Sequence, residues 1–202
     1  MVKSADGSAE AKLLLALPEL EIWQGALSPD ERTILYRTGT VNGADIWYQS
    51  VSGDTTRRSV ASTPAAENAP RFSPDGRWIA YVSNESGVSE VFVRAFPISS
   101  SPTRVSLDGA KEPAWSRDSR QLFYRSGSRI IRATVRTSPD FSVVSRDVML
   151  TGYDGTDGVT GFDVAPNGRE FVLPNLVVDG GKIVVVHGWT RELRERFSKG
   201  TP

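Results

Sequence analysis

One five-residue pattern returns four times along this chain, and it constrains the fold more than any other feature. It reads Ser28-Pro29-Asp30-Glu31-Arg32, Ser73-Pro74-Asp75-Gly76-Arg77, Ser116-Arg117-Asp118-Ser119-Arg120 and Ala165-Pro166-Asn167-Gly168-Arg169. The first residues of the four are spaced by 45, 43 and 49. A period of that size marks an array of supersecondary units that bury their apolar faces only against neighbours. Within the pattern, Pro presets φ, Asp or Asn binds nearby backbone, and Gly tolerates positive φ; together they specify a tight turn. The residue before each turn is apolar (Leu27, Phe72, Trp115, Val164), so a strand enters the turn.

The strand that leaves each turn is apolar at consecutive positions: Ile34-Leu35-Tyr36, Ile79-Ala80-Tyr81, Leu122-Phe123-Tyr124 and Phe171-Val172-Leu173. Such strands are buried on both faces, as in sheets packed between two neighbours. A third strand begins at Ile46, Val91, Ile130 and Ile183, which lie 18, 18, 14 and 18 residues after the turn anchors. Arg58-Ser59-Val60, Arg104-Val105-Ser106 and Asp147-Val148-Met149-Leu150 fit a fourth, outer strand. The last unit has no outer strand after it, whereas an orphan strand, residues 12–17, precedes the first. Circular propellers close their rings in this way, one terminus completing the blade at the other. The fold class is therefore all-β: a β-propeller of four blade-like, four-stranded repeats, complete in itself or part of a larger ring. A two-sheet sandwich explains the strands but not the in-register turns. Residues 1–10 read as a flexible leader, 11–190 as the propeller, and 191–202 as a short C-terminal helix or tail.

At these residues a family resemblance emerges. Phe72 to Ser83 followed by Glu90 to Phe96 resembles the WD40-like PD40 repeat of TolB-type propellers, and Pro113 to Arg125 resembles the next such repeat. Trp189-Thr190-Arg191-Glu192-Leu193-Arg194 resembles the end of propeller regions attached to bacterial serine/threonine protein kinases. The resemblance implies a propeller, an extracytoplasmic setting and more than four repeats in the intact ring. Kinase signatures are absent from this sequence, so no kinase activity carries over.

Little else points to chemistry. His187 is the sole histidine and there is no cysteine, so a zinc site or a cysteine nucleophile lacks ligands. No G-x-S-x-G elbow offers a nucleophilic serine. Asp154-Gly155-Thr156-Asp157-Gly158 is rich in oxygen ligands but lacks the spacing of a calcium loop and reads as a solvated turn. No catalytic residue, cofactor or metal is expected. Lys and Arg (24) balance Asp and Glu (24), which argues against nucleic acid as a partner. The apolar run Leu13 to Leu17 is cut by Pro18, too short for an export signal or a membrane span. Trp78 and Trp115 fall at repeat positions that read as core, whereas Trp23 and Trp47 have no such assignment.

Charge is segregated. Loops joining fourth to first strands carry Glu19, Glu21, Glu67, Asp108, Glu112, Asp154 and Asp157, with Glu85 and Asp179 on the same side. Arg32, Arg77, Arg117, Arg120 and Arg169 lie in the turns at the other end, with Arg57 and Arg104 near them. Glu67, Asp108, Glu112, Asp154 and Asp157 are thus the candidate residues of an acidic face for a protein or peptide partner. A non-catalytic binding module is the leading expectation, and a sensor or accessory propeller of a larger enzyme is the alternative. Exposed end blades would also favour self-association unless the ring closes within one chain.

Overall fold

The apolar segments flanking each repeated turn form antiparallel strands. The computed structural model describes residues 10, 13, 17, 20–39, 43–153, 161–165, 168, 170–176 and 183–185. Blade 1 comprises β1 (Ile22–Leu27), β2 (Thr33–Thr38), β3 (Asp45–Ser50) and β4 (Arg58–Ala61). Blade 2 comprises β5 (Glu67–Phe72), β6 (Trp78–Ser83), β7 (Glu90–Ala95) and β8 (Thr103–Arg104). Blade 3 comprises β9 (Lys111–Trp115), β10 (Gln121–Ser126), β11 (Arg129–Arg136) and β12 (Ser142–Leu150). Each is a meander paired in sequence order. In the fourth unit β13 (Asp163–Val164) pairs with β14 (Phe171–Val172), and β15 (Pro174–Leu176) with β16 (Ile183–Val185). Only Leu173 separates β14 from β15, so one nearly continuous segment pairs first with β13 and then with β16.

The repeated turn is closed by its own side chains. In blade 2, the Ser73 hydroxyl donates to Asp75 Oδ1 at 2.5 Å and accepts from the Trp78 amide at 3.0 Å, while the Arg77 amide donates to Asp75 at 3.1 Å. Blade 1 repeats this with Ser28 and Asp30, and blade 3 with Ser116 and Asp118. The fourth turn has Ala165 at the serine position, and its described residues show the same backbone bonds, Ala165 N to Glu170 O and Gly168 N to Ala165 O. The fourth residue of every turn has positive φ: Glu31 at 59°, Gly76 at 71°, Ser119 at 58° and Gly168 at 66°.

Two-sided burial of the second strands is realised residue by residue. In β6, Trp78, Ala80 and Val82 face blade 3, while Ile79 and Tyr81 face blade 1. In β10, Leu122 and Tyr124 face blade 2, whereas Phe123 packs with Tyr153, Phe162 and Phe171. Every residue of β6 is buried. The first strands β1, β5, β9 and β13 pack side by side in that order, so each blade radiates from a shared inner edge.

Three features depart from the sequence reading. The outer strand of blade 2 ends at Arg104 instead of spanning residues 104–106, because the Ser106 hydroxyl takes the Val91 amide at 2.7 Å and interrupts the ladder. The outer strand of blade 3 starts at Ser142, five residues before Asp147. The first strands of blades 1, 2 and 3 each carry a bulge, with positive φ at Ala69 (50°) and Glu112 (58°). The expected pairing of strand 12–17 with residues 182–188, the leader and the C-terminal helix or tail lie outside the described residues, apart from residues 10, 13, 17 and 183–185.

Candidate functional site

Because the blades are meanders, all their connections emerge at two ends. One end carries the repeated turns; the other carries the β2–β3, β4–β5, β6–β7, β8–β9 and β10–β11 connections, here called the loop end. Arg32, Arg57, Arg77, Arg117 and Arg120 are exposed at the turn end. Hydrogen bonds from the Ser28 and Ser116 hydroxyls are the main cause holding the Asp30 and Asp118 carboxyls below the usual range. Trp47 has its ring covered by the Arg57 guanidinium at 4.3 Å and its indole N–H bonded to Thr38 Oγ1 at 3.0 Å, whereas Trp23 is 61% exposed.

The five acidic residues singled out above occupy different environments. Asp108 is exposed on the β8–β9 loop. Glu112 is partly buried in an ion pair with Arg125 at 3.1 Å, which spends its charge within blade 3. Glu67 is fully buried and presents nothing to a partner: its amide donates to Ala44 O at 2.8 Å, tucking the start of β5 against blade 1. Its Oε1 accepts the Thr63 and Ser83 hydroxyls, at 2.6 and 3.4 Å, and its Oε2 has no partner. Burial pushes this carboxyl above its ordinary value, the two hydroxyls oppose that, and nearby Asp45 adds to it. Asp154 and Asp157 lie outside the described residues, as does His187. The exposed members of the proposed acidic end are therefore Glu21, Glu85 and Asp108 among the described residues.

Sequence reading missed a cleft among the described residues, which lies between blades 2 and 3. It has a volume of about 170 Å³, and its walls include Leu107, Asp108, Tyr124, Arg129, Arg146 and Val148. The loop bearing Leu107 and Asp108 is pinned at three points to the start of β7: Val105 N to Val91 O (2.7 Å), Gly109 N to Glu90 Oε1 (3.2 Å) and Ala110 N to Ser89 O (2.7 Å). The buried Glu90 carboxylate also accepts the Ser106 hydroxyl, so the loop is stiffened from beneath. Leu107 and Val148 are 53% and 52% exposed at the opening. Arg146 on β12 donates from Nε to Val105 O at 2.7 Å, linking the two blades across the cleft. Burial raises the Tyr124 hydroxyl's pKa, against the opposing charge of Arg146. The clue in the sequence was an apolar residue, Leu107, beside an acid in a loop; no pattern linked it to Arg146 on another blade.

Among the described residues no group of three His, Asp or Glu side chains is placed to hold a metal, and no helix is long and apolar enough to cross a membrane. No family model matches the sequence, and no curated protein does. Solved structures do match. TolB from Acinetobacter baumannii is 19% identical, with a TM-score of 0.64, over 90% of this chain and 43% of that one. A TolB-type protein from Agrobacterium tumefaciens is 17% identical, with a TM-score of 0.53, over 77% of this chain and 58% of that one. The nidogen/laminin complex supplies a match of 11% identity and TM-score 0.56, over 88% of this chain and 68% of that one. An acylaminoacyl peptidase from Pyrococcus horikoshii also matches, over 83% of this chain. These likenesses show the fold: the chain is an all-β, propeller-type protein. It spans 43% and 58% of the lengths of the two TolB-type chains. The kinase-propeller resemblance rested on residues 189–194, which lie outside the described residues.

Proposed function

We propose that this chain is a non-catalytic propeller module that presents its loop end to a protein or peptide partner. The carrying observation is Leu107, a large apolar side chain held out to solvent on a loop pinned to a rigid blade. Leu107 and Val148 together form an apolar rim at one cleft, which marks a contact surface where a lone exposed side chain would not, and fixing the loop beneath Leu107 lowers the ordering cost of binding. Rigid scaffolds with displayed loops suit recognition. A structure containing a nidogen/laminin complex among the matches accords with a binding role, although the partner chemistry here is this chain's own.

A photo-crosslinking residue at position 107, compared with one at Arg117 on the turn end, tests the proposal in the native host. A discrete adduct from position 107, competed away by unlabelled chain and missing from position 117, is the expected result. Equal, non-competed labelling from both positions sinks it. A second reading, an accessory propeller of a larger enzyme, is favoured by the match to the acylaminoacyl peptidase, of whose chain this one spans 32%. A catalytic domain in the same reading frame would support it.

A further inference from the structure

We propose that the cleft between blades 2 and 3 binds the C-terminal residue of a partner polypeptide, taking up its apolar side chain and its free carboxylate together. This rests on the partner-binding reading above and names the feature of the partner that is recognised.

Size sets the first limit. The cleft holds about 170 Å³, and an apolar cavity of about 150 Å³ accepts a benzene molecule. One side chain of leucine or phenylalanine size therefore fills it. Leu107, Tyr124, Ile131 and Val148 supply the apolar wall.

Charge sets the second limit. The titratable and charged groups lining the space are Asp108, Tyr124, Arg129, Arg146 and Asp147. Asp147 is already met by Arg132 at 3.1 Å. Asp108, which forms no ion pair among the described residues, then faces two guanidinium groups, so the lining itself carries one more positive than negative charge, with the buried Glu90 carboxylate beneath the loop. Arg146 is held in place by Val105 O, and the exposed Arg129 side chain makes no hydrogen bond or ion pair among the described residues. Planar guanidinium groups match carboxylate geometry.

An apolar side chain and a carboxylate must thus enter one small space. In an extended peptide, neighbouring side chains point to opposite sides, so an internal acid and its apolar neighbour cannot both enter. Only the last residue of a chain carries an apolar side chain and a carboxylate on the same Cα. Asp108 is then available to accept that residue's backbone amide, and exposed Leu107 and Val148 flank the path of the preceding residues.

The test uses the purified chain and fluorescein-labelled Gly-Ser-Gly-Leu, with the C-terminus as the free acid or as the carboxamide. Companion peptides end in Ile, Val and Phe, and anisotropy is read at low salt because exposed charges are screened. At least one free-acid peptide is expected to bind saturably and about ten-fold or more tightly than its amide, the loss typical of a charge-assisted hydrogen bond. Arg129→Gln is expected to weaken the acid toward the level of the amide without changing the melting temperature, since its side chain has no partner among the described residues to lose. Equal binding of acid and amide overturns the proposal, as does no saturable binding by any of the four peptides. Displacement by free leucine as effective as by unlabelled peptide overturns it too, since the ligand would then be a small molecule. If the crosslink from position 107 persists after such a result, partner binding stands and only recognition of the terminus fails.

Discussion

At Glu31, the turn of blade 1 runs through the left-handed region with a non-glycine residue, whereas Gly76 and Gly168 fill that position in blades 2 and 4. An L-residue there costs about 1–2 kcal/mol, and glycine's extra chain entropy returns roughly 0.5–1 kcal/mol of that. Glu31→Gly is therefore expected to raise stability by about 0.5 kcal/mol, read in denaturant melts. Ser119 in blade 3 has the same φ, but its hydroxyl accepts the Asp75 amide of the neighbouring turn at 3.1 Å. Ser119→Gly is expected to lose that bond and gain nothing net. Glu67 gives a second test. Its carboxyl is raised above the ordinary 4.5 by burial, so the native state holds this proton more tightly than the unfolded chain does. The associated stability is complete below the unfolded pKa and lost as pH rises through the folded value. Glu67→Gln, which mimics the protonated acid, should match the wild type near pH ~4 and exceed it near pH ~8. A gap that widens toward low pH would contradict this.

At the level of the strand, the two-sided apolar pattern of β6 was legible in the sequence because burial on both faces leaves no position for a polar residue. The turns were legible for a similar reason: Ser, Asp and Gly each act on backbone within five residues. The bulges were not, since Ala69 and Glu112 are ordinary residues forced to positive φ by the ladder around them. Nor could the sequence separate buried Glu67 from exposed Asp108, which sit in equivalent-looking loops and differ only in what the neighbouring blade covers. Trp78 shows the energetic weight of such cover. It is buried between blades 2 and 3 with its ring 5.2 Å from Phe141, while Trp115 packs less completely, 6.4 Å from the same ring. Trp78→Ala is expected to cost about 3–5 kcal/mol, and Trp115→Ala less. Neither indole N–H has an acceptor, so both losses are of packing and not of hydrogen bonds. Equal losses from the two variants would contradict the difference in burial.

Across the whole molecule, cohesion is uneven. Among the described residues, the interface of blades 2 and 3 joins twelve buried apolar residues, against seven between blades 1 and 2. Hydrogen exchange is therefore expected to be slower in β7, β10 and β11 than in β2 and β3, as sub-global opening follows buried contacts. Uniform protection across all blades would argue for a single cooperative unit. Pairing of strand 12–17 with residues 182–188, within one chain or across two copies, remains a proposal: light scattering at 22.0 kDa supports closure within one chain, and twice that mass overturns that form of it.

The self-bonded turn has a further consequence, for how such chains change by duplication and loss. A unit whose Ser and Asp close its own reversal brings its folding instructions along when copied or excised, and loops at the other end are left free to diverge. Neighbouring blades are stitched all the same. The Glu67 amide on Ala44 O, the Ala69 amide on Gln24 and the Arg94 guanidinium on Val60 O join blades 1 and 2. The Asp75 amide on the Ser119 hydroxyl and the Arg146 guanidinium on Val105 O join blades 2 and 3. A rearranged gene that parts blades 2 and 3 forfeits two such stitches and the cleft between them.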